Sequence, residues 1–140
     1  MAEGEPQQSP MRPRLRAVIV DGSSDWCPLA SALLKLEDCV ELVARVEDGQ
    51  QAIEAVSVLH PELLIMDLGI GSIDALRTTS LLCHQFPSLV VILVVSRNTP
   101  SLCTACHSAG AKHLIHKARF HEELRQVLVE IESSLGMSRG

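Results

Sequence analysis

Four short strand-like runs each lead into a residue that carries chemistry, and this pattern constrains the fold more than any other feature of the chain. Ala17-Val18-Ile19-Val20 leads into Asp21, Leu63-Leu64-Ile65-Met66 into Asp67, Val90 through Val95 into Ser96, and His113-Leu114-Ile115-His116 into Lys117. Consecutive apolar positions over so few residues read as strands covered on both faces. Segments with apolar residues at helical spacing lie between them, and alternation of the two patterns predicts a parallel sheet with helices on both faces. Chemistry in open α/β sheets collects at the carboxyl ends of the strands. Two carboxylates, a hydroxyl and an ammonium are therefore expected to converge on one rim.

The spacing predicts strands over 15–20, 40–46, 63–66, 89–95 and 113–116, and helices over 26–36, 50–59, 74–84, 100–109 and 121–134. Pro28 falls in the first turn of its helix, where a missing N–H costs little. Asp25 and Asp74 are the expected N-caps of the first and third helices, and Asp48 belongs to the turn before the second. His60-Pro61 stops the second helix, and Gly110 is placed to cap the fourth. Residues 1–13, with Pro6, Pro10 and Pro13 among polar neighbours, are expected to be a disordered tail. One domain is expected over 14–135, and a short tail over 136–140.

Composition narrows the function classes. Hydrophobic residues make up 46% of the 140-residue chain, which is globular in character, yet aromatics are only 2% and Tyr is absent. Aliphatic side chains must fill the core. A net charge of −5 argues against nucleic-acid binding driven by bulk charge. The apolar run over 89–95 is far shorter than a bilayer span, and the N-terminus has no apolar signal region. A cytoplasmic location without membrane contact is the expectation. Five cysteines and no export signal suggest reduced thiols.

The order Asp21, Asp67, Ser96, Lys117 after strands one, three, four and five is similar to the receiver domain of bacterial two-component response regulators, the CheY-like flavodoxin-like fold. The phrases Val46-Glu47-Asp48-Gly49-Gln50-Gln51-Ala52 and Pro61-Glu62-Leu63-Leu64-Ile65-Met66-Asp67-Leu68 resemble that family, as does Ala109-Gly110-Ala111. Leu36-Glu37-Asp38-Cys39-Val40-Glu41-Leu42-Val43 is most similar to receivers of the NarL/FixJ kind, which usually carry a DNA-binding domain behind the receiver. The chain ends soon after the fifth helix, so a stand-alone receiver is the expectation.

The resemblance implies that Asp67 accepts a phosphoryl group from a histidine kinase or phosphotransfer protein, with Lys117 and Ser96 holding the phosphoryl oxygens. It implies a magnesium ion held by Asp21 and Asp67. It also implies an output surface on the fourth helix, fifth strand and fifth helix, used for homodimerisation or partner docking. The chain departs from the family at five places. Gly22 replaces the usual second acid, which weakens or removes the magnesium site; Asp25 is the nearest substitute. Gly71, Ala75, Leu114 and Ala118 replace a proline, a glycine, the aromatic switch residue and a second proline. An atypical receiver follows, catalysing at most its own phosphorylation and dephosphorylation. The alternative is a phosphorylation-independent interaction module with the same fold. A phosphatase would need an acid two residues after the nucleophile, where Gly69 stands.

Two other features stand out. Residues 99–111 hold no Asp, Glu, Lys or Arg, so the fourth helix is expected to expose a partly apolar docking patch around Pro100, Leu102 and Cys103, beside Leu114. Cys103-Thr104-Ala105-Cys106-His107 has the spacing of a haem attachment site. It falls within a predicted helix of a folded domain, where incidental thiols are the better reading than haem, a redox pair or a metal site using His107, His113 or His116.

Overall fold

The computed structural model describes residues 14–22, 26–70 and 72–134. Five strands alternate with five helices: β1 (Leu15–Val20), α1 (Cys27–Lys35), β2 (Val40–Val46), α2 (Gly49–Leu59), β3 (Leu63–Asp67), α3 (Ser72–Gln85), β4 (Val90–Val95), α4 (Pro100–Ala109), β5 (His113–His116) and α5 (Phe120–Ser134). The strands form one parallel sheet in the order β2-β1-β3-β4-β5. The predicted α/β class and strand count are those observed.

The apolar runs serve two cores at once because successive strand residues point to opposite faces. Ala17, Ile19, Leu63, Ile65, Ile92, Val94 and Ile115 pack on one face against α1 and α5, with Leu34, Leu124 and Leu128. Val18, Val20, Leu64, Met66, Val91 and Leu93 pack on the other, against Ala52, Val56, Ala75, Leu82 and Cys106 of α2, α3 and α4. Every residue of β3 is buried, whereas edge strand β2 exposes Glu41 and Arg45. Loss of one apolar residue from a central strand would open a hole on one face only.

Local chemistry sets the helix boundaries. Asp48 caps α2, its Oδ1 accepting the Gln51 N–H at 2.8 Å, while Gln51 Oε1 accepts the Glu47 N–H at 2.9 Å. This is a variant of the reciprocal capping arrangement. Thr99 caps α4 by accepting the Leu102 N–H, ahead of Pro100. His60 closes α2 in the left-handed region, φ 49°.

Some predicted details are corrected. Asp74 sits inside the first turn of α3, because that helix begins at Ser72, so it favours the positive helix end rather than capping it. Asp25, the other expected cap, lies outside the described residues, as do the expected tails; α1 starts after Trp26 without a side-chain cap. α4 is charge-free but not an apolar patch. Pro100, Ser101, Thr104, His107 and Ser108 are exposed, Cys103 is half-buried, and Leu102 and Leu114 pack against the second core. The large apolar side chains most exposed among the described residues are instead Leu29, Leu36, Val58, Leu81 and Val129.

Gly110 is required where it stands. It ends α4 at φ +113°, and an added Cβ would lie 2.9 Å from the Cys83 Cβ of α3. Gly110→Ala should destabilise the fold by more than about 1 kcal/mol, since strain and steric conflict add, as a lowered urea midpoint will show. His113 supplies a pH dependence. Burial lowers its pKa below the ordinary 6.5, with Glu130 opposing and His107 and Lys112 assisting. The unfolded chain then takes up this proton first, so the contribution is full above about 6.5 and is lost as pH falls toward the depressed folded value. His113→Gln should flatten that part of the stability profile, measured by urea unfolding across the mildly acidic range.

Candidate functional site

The strand order fixes where a site can form. The chain moves outward from β1 to β2 on one side and from β3 to β4 and β5 on the other, so the crevice opens at the carboxyl ends of β1 and β3. Asp67 is the last residue of β3. Asp21 follows β1, one step beyond the Val20–Met66 pair, and is level with Asp67 across the sheet. The two acids are 5% and 1% exposed, so both carboxylates are held in the protein rather than in bulk water.

Lys117 reaches this crevice from β5, two strands away. Its Nζ donates to Asp67 Oδ2 at 3.0 Å. The other carboxylate oxygen, Oδ1, accepts the Gly69 N–H at 2.9 Å. A charge this deep is tolerable only when its oxygens are engaged in this way. Gly69 also matters by its lack of a side chain, because a Cβ there would sit 3.1 Å from Asp67 Oδ2 and 3.3 Å from Cγ and Oδ1.

The turn that presents the lysine is itself built by side chains. Residues Lys117–Arg119 form a single 3-10 turn. His116 Nδ1 accepts the Ala118 N–H at 3.2 Å, and Glu123 Oε1 of α5 accepts the His116 N–H at 2.8 Å. Trp26 lies beneath the ammonium, its ring centroid 5.4 Å from Lys117 Nζ, and packs edge-to-face against Phe120 at 5.1 Å. Gly69, His116, Glu123 and Trp26 were not singled out for this site from sequence. The one available signal was the scarcity of aromatics, which makes each one informative.

Ser96 follows β4, and the Val95–His116 pair places it level with Lys117. It is exposed, and the contact to Asp67 comes from Lys117 rather than from its hydroxyl. The structure thus joins Asp67 to Lys117, sets Asp21 beside them on the rim, and leaves Ser96 in the loop above. Gly22 is exposed and supplies no side-chain donor. Among the described residues there is no group of three or more His, Cys, Asp or Glu side chains suited to a metal ion. The donor set present is two carboxylates. It fits a magnesium ion that keeps several waters and completes its shell with phosphate oxygens, and not a closed protein cage.

The cysteine pattern of α4 is accounted for by packing. Cys106 is fully buried, and burial pushes its thiol pKa up, with Cys103 adding to the effect. His107 Nδ1 lies 3.0 Å from the Ala111 carbonyl oxygen. A raised pKa and burial make Cys106 a poor nucleophile.

Comparison with known proteins follows the same lines. The family model described as response regulator receiver domain matches residues 17–129. A protein-glutamate methylesterase/protein-glutamine glutaminase of Myxococcus xanthus is 33% identical over 125 residues, covering 86% of this chain and 35% of that protein. The DNA-binding transcriptional activator EvgA of Escherichia coli K12 is 24% identical over 123 residues, covering 86% of this chain and 57% of that protein. The chain therefore spans about a third to just over half of these relatives. Among solved structures, the non-phosphorylated receiver domain of RcsB from Escherichia coli superposes with a TM-score of 0.78 at 20% identity, covering 86% of this chain and 95% of that one. The receiver domain of NarL from Mycobacterium tuberculosis gives 0.77 at 17% identity, covering 86% and 98%.

The buried ion pair has a measurable consequence. Lys117→Ala should destabilise the fold by about 1–3 kcal/mol, the cost of leaving a buried polar group unpaired. Adding Asp67→Asn should return part of that loss, because the stranded charge is then gone. Urea unfolding of the two single variants and the double variant checks the sign.

Proposed function

Because the chain belongs to the response-regulator receiver family, we propose that it is a phosphorylation-controlled signalling switch with Asp67 as phosphoacceptor. The observation that carries this reading is the 3.0 Å contact between Lys117 Nζ and Asp67 Oδ2 at the crevice between β1 and β3. A carboxylate oxygen of Asp67 attacks the phosphorus of a phosphohistidine. The new O–P bond forms as the N–P bond breaks, and the electron pair leaves with the imidazole. Positive charge beside a transferring phosphoryl group is the main catalytic help available to such a step. Lys117 supplies it in this chain, and Ser96 is the hydroxyl placed to meet the product from the β4–α4 loop.

Magnesium, held by Asp21 and Asp67, would supply further charge neutralisation on the phosphoryl oxygens when bound. With Gly22 in place of a second acid, binding in the absence of phosphate is expected to be weak. The donor is a histidine kinase or phosphotransfer protein, which places the work of the chain in the cytoplasm. No described helix is long and apolar enough to cross a membrane. Methylesterase and DNA-binding activities are named for relatives that extend well beyond the matched stretch. Within the receiver, chemistry is confined to gaining and losing the phosphoryl group. Output passes through α4, β5 and α5, by homodimerisation or partner docking; on α4 the surface offered is the small, polar outer face of Pro100, Ser101, Thr104 and Ser108 with half-buried Cys103, since Leu102 and Leu114 pack inward.

One observation favours a second reading, a phosphorylation-independent interaction module. Asp67 is 1% exposed, with both oxygens already engaged, so a donor must find it through an opening of the rim. Incubation with acetyl phosphate and magnesium, read by intact mass, decides between the two. The expected result is one phosphoryl group per chain, absent from Asp67→Asn and strongly reduced in Lys117→Ala. A wild-type chain that gains no mass would overturn the first reading in favour of the second.

A further inference from the structure

Aromatic side chains are the scarcest resource of this protein: one Trp, two Phe and no Tyr in 140 residues. Two of the three stand together, and one of them, Trp26, lies under the Lys117 ammonium. Trp26 immediately precedes α1 and Phe120 opens α5, and their rings meet at 88° with centroids 5.1 Å apart. Both are buried, at 8% and 4% exposure, within the core on the α1/α5 face. The remainder of that core is aliphatic and sulfur-bearing. Bulk apolar volume alone does not call for an aromatic pair at this one place.

Lys117 Nζ lies 5.4 Å from the Trp26 ring centroid, inside the range where the negative face of an indole attracts a cation. The same nitrogen is 3.0 Å from Asp67 Oδ2. The lysine side chain is 27% exposed and has four rotatable bonds, so without a second attraction it has alternatives in water. Its turn also lacks the restraint of a proline, since Ala118 follows it. The backbone is held instead by His116 and Glu123. The ring acts on the far end of the side chain, where those backbone bonds do not reach.

We propose that Trp26 is a positioning residue of the phosphoacceptor site, its ring, braced by Phe120, holding the Lys117 ammonium against Asp67. The kinetic part of this assignment rests on the phosphoacceptor reading above; the structural part does not. Trp26 itself never touches the phosphoryl group. It shortens the search of a flexible cation that must be in place as charge shifts onto the phosphoryl oxygens. With Gly22 depriving the metal site of an acid, the lysine carries a larger share of that charge, and so does whatever holds it.

The test has two arms. The first is a double-mutant cycle on stability, with wild type, Trp26→Leu, Lys117→Met and the pair unfolded in urea. The cost of stranding the Asp67 charge is common to both lysine substitutions and cancels. Coupling between positions 26 and 117 is expected, as a difference of roughly threefold or more in the unfolding constants. Additivity would overturn the proposal. The second arm compares rates of acetyl-phosphate labelling in magnesium. Trp26→Leu is expected to be slower by roughly three- to thirty-fold, the span of a cation–π contact. Trp26→Phe keeps a ring for the cation and should recover most of that loss, which a purely volumetric role would not produce. Coupling with an unchanged labelling rate in Trp26→Leu would overturn the positioning role. A wild-type chain that takes no label sinks the phosphoacceptor reading and the kinetic part together, while the cycle still decides whether Trp26 holds Lys117.

Discussion

A buried carboxylate paired with a half-exposed ammonium is the contact around which this rim is organised. A carboxylate at 1% exposure beside apolar strands is costly to bury unless its oxygens are engaged. Lys117 and the Gly69 N–H each engage one of its oxygens. The lysine is in turn held through the bonds of Glu123 to the His116 N–H and of His116 to the Ala118 N–H on either side of it, and through Trp26, braced by Phe120, under its charge. A charge that must be compensated thereby recruits β3, β5, α1 and α5 into one arrangement.

That arrangement is suited to switching. On the proposed reading, converting the Asp67 carboxylate to an acyl phosphate would add oxygens and negative charge at a point where the Lys117 ammonium is already committed. The lysine must then exchange one oxygen for another, and the β4–α4 loop bearing exposed Ser96 lies beside it. Charge-triggered devices work by biasing elements that have two packings. The face beyond that loop, α4 with half-buried Leu102 and Leu114 of β5, is less firmly packed than the central strands. On the same reading, with Gly22 supplying no acid, charge neutralisation would rest more on the lysine than on a metal. Because both Asp67 oxygens are engaged, access to Asp67 is the step on which the proposed switch depends.

Much of the fold was legible because strand burial and helix amphipathicity are periodic. β1, β2, α4 and β5 have the limits expected from the pattern. The errors fall where periodicity carries no information. Asp74 looked like a cap because Asp often is one, but α3 takes up two further residues before it. The charge-free stretch 99–111 looked like an apolar docking patch, yet its large side chains turn inward and its outer face is small and polar. Composition over a window cannot tell which side of a helix faces a core. The Cys103–His107 spacing was read from sequence as incidental thiols, and the burial of Cys106 in the second core is in keeping with that.

What the sequence determined alone was the set of participants and their rim: four polar residues at the ends of apolar runs, in an order that parallel strands must bring to one edge. It did so because a strand's direction and its last residue are properties of the chain itself. Tertiary structure alone decided who touches whom. Lys117 grips Asp67 across fifty positions of sequence while Ser96 remains outside. Gly69 makes room for the carboxylate, and Trp26 meets a cation from the far end of the chain. Those are consequences of sheet order and side-chain packing between elements, and no local pattern encodes the distance between two residues that meet only when the sheet is assembled.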